Sequence, residues 1–307
     1  MAIDNKDKKI LNVPPLRFPE FTEEWKAEQL DNIATLSKGI GISKEQLSED
    51  GEPCILYGEL YTKYKSEIIK QVESKTDING SKLKRSKAND VIIPCSGETA
   101  VDIATARCVP FDNILFGGDL NVISLHQYDG AFMSYQLNGK RKYDIARVAQ
   151  GVSIVHLYGE HLKAIKTYNP TLPEQQKIAK LLSLLDDRID TQNKIIEDLK
   201  KLKSAIVEML LCNRNSELLK LGDIGYFVRG LTYANEDVTE NKAATAVIRA
   251  NNLNYGNHVD KGEVVYVSRT PATSQILQKG DIVICMANGS SALVGKNSYY
   301  PFNDGQS

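Results

Sequence analysis

The sequence predicts an α+β fold: two copies of a mixed α/β domain, separated by a long coiled-coil-forming helix. Three observations predict it. Short motifs recur at a constant offset of 191 positions, and a segment of about forty residues carries an apolar stripe at helical spacing. Short β-branched runs, bounded by turn-rich stretches, lie on both sides of that segment.

The composition is that of a globular protein of about two domains. The chain has 307 residues, of which 42% are hydrophobic and 25% charged, enough for folded cores. No apolar run approaches the ~20 residues of a membrane-spanning helix, and the charged residues 1–9 are not a signal peptide. The five cysteines lie far apart without a CxxC pair, which is typical of reduced, buried thiols. The sequence therefore predicts a cytoplasmic protein with no membrane segment and no metal site.

The formal net charge is −1 at pH 7. A protein that holds DNA by phosphate contacts alone usually carries a strong basic excess. The charge balance therefore argues against a protein that holds DNA by phosphate contacts alone. A DNA reader of this composition must use local basic patches, or take part of its attraction for phosphate from a partner.

The internal repeat is the most informative feature. Several short matches follow one another in the same order at one offset, which indicates duplication. The alternative is two unrelated α/β segments that share ordinary strand and turn chemistry. The matches are residues 30–34 with 221–225, Lys38 and Gly39 with Arg229 and Gly230, residues 90–93 with 281–284, and residues 110–112 with 301–303.

These matches predict four parts of the chain. Residues 1–24 form an N-terminal extension, 25–170 a first domain, 171–213 a long helix and 214–307 a second domain. The apolar runs 91–93 and 282–284 are predicted strands at matching places in the two domains. No counterpart of residues 114–168 follows in the second copy, so we expect the second domain to be partial.

The long helix is the strongest secondary-structure signal. Pro173 and Glu174 are typical of a helix start, and neither proline nor glycine follows before Leu211. A helix with a single apolar stripe of this length, about 60 Å, is expected to pack along another helix. The alternative is a helix that lies on its own domain. The stripe, with a one-residue slip after Leu199, comprises Ile178, Leu182, Leu185, Ile189, Ile196, Leu199, Leu202 and Ile206.

Residues 170–186 carry a resemblance to a known family. Their sequence, PTLPEQQKIAKLLSLLD, resembles the start of the long helix in DNA-specificity subunits of type I restriction–modification enzymes, where a Pro-x-x-Glu-Gln-x-x-Ile-Ala-x-x-Leu run follows each target-recognition domain. The stretch from Trp25 to Ile33, Gly39, the predicted strand at 90–93 and Gln150-Gly151 are similar to the family as well. The resemblance covers nearly the whole chain.

The resemblance implies a non-catalytic, sequence-reading protein. In that family, two target-recognition domains each read a DNA half-site, and two paired antiparallel helices fix the spacer between them. Methyltransferase and restriction subunits dock on this scaffold. The implied partners are therefore double-stranded DNA and those subunits. S-adenosylmethionine, ATP and Mg are expected in the partner subunits, with no cofactor in this chain.

This chain departs from the family pattern by having only one such helix. The apolar stripe then has no partner helix in its own chain. We expect another copy of the chain, or a methyltransferase subunit, to supply it.

Candidate DNA contacts come from basic residues and polar loops. Basic groups suit phosphates, and hydroxyl, amide and guanidinium groups suit base edges. For each of them the alternative is ordinary solvated surface or turn chemistry. The candidates are Lys38 and Arg229 at matching places in the repeat, the run Lys140, Arg141 and Lys142, Ser96 and Thr99 in a polar loop, Arg107 as a guanine reader, and Asn251 and Asn252 as adenine readers.

Enzyme motifs are mostly absent from the sequence. There is no phosphate-binding glycine loop and no nucleophile elbow, and the four histidines lack metal-ligand spacing. We therefore predict no catalytic residues. The main alternative function is a coiled-coil scaffold or adaptor whose two α/β modules bind protein, and a stand-alone nuclease is a third class.

Overall fold

A computed structural model of the chain describes residues 13–151, 153–211, 219–287 and 289–303. The chain divides into two compact units, one ending at Val207 and one beginning at Glu208. This division lies inside the long helix, and the domain boundaries given above stay predictions.

The first unit combines short strands with mostly short helices. Its strands are β1 (Lys26–Gln29), β2 (Ala34–Lys38), β3 (Glu52–Ile55), β4 (Lys75–Thr76), β5 (Lys84–Arg85), β6 (Asp90–Pro94), β7 (Ser96–Gly97), β8 (Arg107–Val109), β9 (Leu115–Phe116), β10 (Leu120–Leu125), β11 (Val155–His156) and β12 (Lys166–Asn169). Its helices are α1 (Leu30–Ile33), α2 (Glu59–Thr62), α3 (Ala100–Ile103), α4 (Gly130–Asn138), α5 (Lys142–Val148), α6 (Gly159–Lys163) and α7 (Leu172–Leu211).

A four-stranded antiparallel sheet with the order β2-β10-β6-β8 forms the centre of the unit. Val91 and Ile93 of β6 face one apolar core, and Ile92 faces another. Both faces of this sheet are covered, so β6 is apolar at successive positions instead of alternating with polar residues. A second four-stranded sheet has the order β4-β3-β9-β5.

Strands β1 and β12 bring together the two ends of the predicted first domain. They pair antiparallel, with Lys26 opposite Asn169. The two ends of this predicted domain therefore lie side by side, directly before α7 begins.

Helix α7 confirms the predicted long helix. It runs without a break over 40 residues. Its first turns pack on the unit, and Ala179 is buried there, whereas every residue from Thr191 to Leu211 is exposed. In the part of the chain that the structure describes, no helix is long and apolar enough to cross a membrane.

The second unit repeats elements of the first. It contains α8 (Leu221–Ile224) and the strands β13 (Val238–Thr239), β14 (Thr245–Val247), β15 (Val265–Val267), β16 (Ile282–Ile284) and β17 (Asn297–Tyr299). In the first unit Val91 pairs with Cys108, and in the second Ile282 pairs with Tyr299. Both partners are shifted by 191 positions, so the repeat extends to the register of strand pairing.

The two units differ in what covers their equivalent apolar residues. Leu30 and Ile33 of α1 are buried, in a core to which β10 and helices α4 to α6 contribute. Leu221 and Ile224 of α8 are exposed among the described residues. The second unit has a small core of its own, formed by Leu253, Val259, Cys285 and Tyr300.

Candidate nucleic-acid interface

Lys38 ends strand β2 and is exposed. Its Nζ atom lies 5.7 Å from the ring centroid of Tyr158, in a cation–π arrangement. Gly39 follows because the chain passes very close to a neighbouring turn. A Cβ atom at Gly39 would lie 1.9 Å from the carbonyl oxygen of Gly117. Lys38 therefore places a cation at the edge of the central sheet. The residue after it must be glycine, because no side chain fits at position 39.

A small two-stranded sheet lies next to Lys38. Strand β7 pairs with β11, with Ser96 opposite His156. The Oγ atom of Ser96 is 3.3 Å from Nδ1 of His156, and the His156 ring stacks on Tyr158 with 6.2 Å between centroids. Lys38, Tyr158, His156 and Ser96 thus form one continuous, mostly exposed surface, called the Lys38 surface below.

Two hydrogen bonds from inside the unit hold the Lys38 surface in place. Tyr61 Oη donates to the carbonyl of Ser96 at 3.1 Å, and burial raises the pKa of Tyr61 above its ordinary range, so the phenol keeps its proton. Asn121 Nδ2 donates to the carbonyl of Leu157 at 2.9 Å. The segment that carries His156 and Tyr158 is therefore held by hydrogen bonds to residues beneath it.

The chemistry of the Lys38 surface suits DNA. An ammonium group contacts phosphate oxygens, and a hydroxyl and an imidazole can donate to or accept from base edges. The structure brings the predicted residues Lys38 and Ser96 together. Sequence reasoning missed Tyr158 and His156, because no local pattern distinguishes them and they lie more than 115 positions from Lys38 along the chain.

Two predicted base readers are buried, and this corrects those predictions. Arg107 is 8% exposed, and its guanidinium donates to the carbonyls of Tyr64 and Ala106 at 2.7 and 3.0 Å. Asn252 is 3% exposed, and its Nδ2 donates to the carbonyls of Asp260 and Glu263. Their polar groups are used inside the fold, so neither is available to a base.

The other predicted contacts vary in accessibility. Thr99 caps helix α3, and its hydroxyl is bonded to Asp102. Arg141 is mostly shielded, because it pairs with Asp144 at 3.0 Å and stacks on Tyr168. Exposed side chains belong to Lys140, Arg229 and Asn251, while Lys142 is half-buried.

The Pro-Glu-Gln motif at the start of α7 anchors the helix. Glu174 is fully buried, and its carboxylate accepts two hydrogen bonds of 2.7 Å from Arg17 and one of 3.3 Å from Trp25. Gln175 is also buried. It accepts from the backbone N–H of Asp129 at 2.9 Å and donates to the carbonyl of Pro170 at 2.8 Å.

The anchor joins three separate parts of the chain. Arg17 precedes β1, and Asp129 is the N-cap of helix α4. The motif therefore fixes the root of α7 to the body of the first unit, which is a structural role.

The predicted helix-pairing stripe is largely uncovered. Ile178 and Leu182 are half-buried against the first unit. The remaining six positions are 45–59% exposed: Leu185, Ile189, Ile196, Leu199, Leu202 and Ile206.

Among the residues that the structure describes, no three His, Cys, Asp or Glu side chains are grouped as a metal site would require. The polar stretch 288–291 follows the predicted strand at 282–284, as the loop with Ser96 and Thr99 follows the strand at 90–93, and its first residue, Asn288, lies outside the described residues.

A protein-family model matches more than half of the chain. The family described as "Type I restriction modification DNA specificity domain" matches residues 22–201. These residues include the Lys38 surface and more than half of α7.

A curated relative and two solved structures are similar. The specificity subunit of the type I restriction enzyme MjaVIII from Methanocaldococcus jannaschii is 26% identical over 214 residues, which is 67% of this chain and 45% of that protein. The chain thus spans about half the length of this curated relative.

The crystal structure of the S subunit of a type I restriction–modification system from M. genitalium has a TM-score of 0.53 at 19% identity, over 96% of this chain and 73% of that one. A structure concerned with complex assembly and conformational transition of the type I system has a TM-score of 0.51 at 14% identity. The match covers 94% of this chain and 74% of that one. At these identities the likeness concerns the fold.

Proposed function

Because the chain belongs to the type I restriction–modification DNA specificity family, we propose that it recognises a DNA sequence and thereby directs partner subunits that methylate and cut DNA. It is a non-catalytic subunit. S-adenosylmethionine, ATP and Mg act in the partners. The family assignment favours DNA over protein as the ligand of the α/β units.

We place the DNA contact of the first unit on the Lys38 surface. The observation that carries this proposal is the chain of contacts from Lys38 through Tyr158 and His156 to Ser96. It combines a cation, two rings and a hydroxyl on one supported surface. Arg229, Asn251 and the exposed Lys140 are further candidate contacts, and Arg107 and Asn252 are not.

The long helix supplies the second part of the proposal. Its exposed apolar stripe is expected to pair with another helix, and we propose that a second copy of this chain provides it in antiparallel orientation. A methyltransferase subunit is the other source of such a helix. Paired helices would then hold two DNA-reading units at a set distance, a geometric device that dimeric DNA-binding proteins also use.

Methylome sequencing tests the function in the cell. Adenine methylation is mapped with the gene present and with the gene deleted. The loss of one bipartite methyladenine motif on deletion supports the proposal, and an unchanged methylome contradicts it.

Salt-dependent DNA binding tests the Lys38 surface. A Lys38→Gln variant should bind more weakly to all duplexes and reduce the slope of log affinity against log salt concentration by about 0.9, the value for one lost phosphate contact. Lys44→Gln is the matched control, because Lys44 is exposed and does not belong to this surface. Equal slopes for the two variants would place the contact elsewhere.

A further inference from the structure

Polar contacts hold helix α7 to the first unit at two levels, and Ile178, Ala179 and Leu182 pack against the unit between them. The first is its root, where Glu174 binds Arg17 and Trp25. The second lies about three turns further along the helix. There, three acidic residues of α7 contact side chains of the first unit. We call this second group the pin; it comprises Tyr135, Lys70, Asp186, Asp187 and Asp190.

The pin connects α7 to two well-supported parts of the unit. Tyr135 lies on helix α4, and its hydroxyl donates to Asp186 Oδ2 at 2.5 Å. Lys70 Nζ lies 2.6 Å from Asp187 Oδ1 and 3.1 Å from Asp190 Oδ2. Lys70 directly follows Ile69, a buried core residue whose N–H donates to the carbonyl of Cys108 in the central sheet at 3.0 Å.

At neutral pH Tyr135 is protonated, and Lys70 and Asp187 are charged. Burial and the bond to Asp186 raise the pKa of Tyr135, so the phenol remains a donor. The hydrogen bond with Asp187 raises the pKa of Lys70, and the same bond lowers the pKa of Asp187. Both members of the ion pair therefore stay charged.

The ion pairs of the pin add little to stability. The side chains of Lys70, Asp187 and Asp190 are 46–55% exposed, and exposed ion pairs contribute little to the free energy of unfolding. Their position on the helix is more informative than their strength. Asp190 is the last residue of α7 with a contact of this kind to the body of the unit among the described residues, and every residue after it is exposed.

A helix that is fixed both at its start and at the pin keeps its direction. A helix that has lost the pin contacts is held less firmly and can tilt about its start. From Glu174 to Leu211 the helix extends about 55 Å. A tilt of about 10° at the root would move its far end by about 10 Å, which is about three base-pair steps of 3.4 Å each. Small changes at the pin are therefore large on the scale of DNA.

We propose that Tyr135 and Lys70 are positioning residues: through Asp186, Asp187 and Asp190 they set the direction in which α7 leaves the first unit, and thereby the spacing of the DNA half-sites. This inference rests on the proposed function, in which paired helices separate the DNA-reading units.

The first test measures helix direction without DNA. Spin labels are attached at Lys44→Cys and Lys203→Cys, both exposed positions, in a full-length chain with Cys212→Ser. An excess of unlabelled chain is present, so that only distances within one chain are measured.

The wild-type background should give one narrow distance. Tyr135→Phe combined with Lys70→Met should widen the distribution by about 8 Å, the displacement that a 10° tilt produces at this point of the helix. Lys194→Met, on an exposed part of α7 beyond the pin, should leave it narrow. An unchanged distribution in the double variant overturns the proposal.

The second test uses duplexes whose half-site spacer is varied one base pair at a time. Wild-type protein in its complete complex should prefer one spacer by about tenfold over its neighbours, and the Tyr135→Phe and Lys70→Met variant should prefer it by less than about threefold, with a similar affinity for its best duplex. A widened distance with unchanged spacer preference also overturns the proposal. Absence of sequence-specific binding by the wild-type complex would instead contradict the proposed function.

Discussion

Arg17 and Glu174 form a two-point ion pair across 157 positions of the chain, with both N–O distances at 2.7 Å. The pair joins the segment before β1 to the first turn of α7. Since Glu174 is fully buried, its carboxylate needs these partners to compensate for the loss of water. The segment around Arg17 is therefore part of the helix anchor.

Replacing Glu174 should weaken the anchor more than any exposed acidic change. In Glu174→Gln the uncharged amide offers one acceptor oxygen in place of the two that Arg17 contacts. We therefore expect the free energy of unfolding to fall by on the order of 2 kcal/mol. Urea denaturation measures it. Glu160→Gln, at an exposed residue that pairs with Lys163, is the control and should change the free energy of unfolding by less than about 0.5 kcal/mol. Equal effects would contradict a buried anchor.

The helix and its first residues were predictable because the signal is local. A proline start, a run without helix breakers and a heptad stripe are all read within 40 neighbouring residues. The function of Glu174 and Gln175 was not predictable, since their partners Arg17 and Asp129 come from distant segments. The motif identified the family before its structural role was visible.

Arg107 should matter for stability and not for base preference. Its guanidinium donates to the carbonyls of Tyr64 and Ala106 inside the fold, and burial lowers its pKa. Arg107→Met should lower the free energy of unfolding by about 2 kcal/mol, the range for a hydrogen bond to a charged group. Binding to a panel of base-substituted duplexes, measured where the variant is folded, should keep the wild-type order. A changed order at one base pair would restore Arg107 as a reader.

Arg107 also illustrates why individual contacts were harder to predict than the fold. A strand residue faces one side of a sheet or the other according to register, and the register of β8 depends on its pairing with β6. Lys38 and Tyr158 lie far apart in the sequence and become neighbours only through the tertiary fold. The duplication, by contrast, was readable because equal offsets are preserved from sequence to strand pairing.

Gly39 should tolerate no side chain. A Cβ atom there would lie 1.9 Å from the carbonyl oxygen of Gly117, so the backbone must move. We expect Gly39→Ala to cost about 1–3 kcal/mol of unfolding free energy, the usual range for overpacking, and to weaken DNA binding by displacing Lys38. Gly41→Ala is a close control, since nothing lies within 4 Å of its Cβ position. Chemical denaturation and DNA titration of both variants provide the check.

Alkaline pH should destabilise the fold partly through Cys108. Burial raises the pKa of this thiol to about 12, whereas an unfolded cysteine has a pKa of about 8.5. Above that lower value the unfolded chain loses a proton that the folded chain keeps, so the free energy of unfolding falls as the pH rises towards 12.

The comparison with Cys108→Ala isolates this contribution. The difference in unfolding free energy between wild type and variant should be constant below about pH 8 and change between about pH 9 and 11, with wild type losing more. Parallel curves across that range would mean that the thiol titrates alike in both states.

The exposed stripe of α7 should determine association. Ile196 and Leu199 are about half exposed and lie on the same side of α7. Among the described residues, every position of α7 from Thr191 onward is exposed. Burial of such a side chain contributes about 1.5–3 kcal/mol, so Ile196→Asp with Leu199→Asp should raise the dissociation constant of a self-paired complex more than about 100-fold.

Light scattering at micromolar concentration measures the mass, and circular dichroism checks that the helix is retained. Lys194→Asp, on the opposite side of the same helix, should leave the mass unchanged. If wild-type protein is strictly monomeric, the chain does not pair with itself, and the stripe must then be tested with a methyltransferase subunit by the same pair of variants.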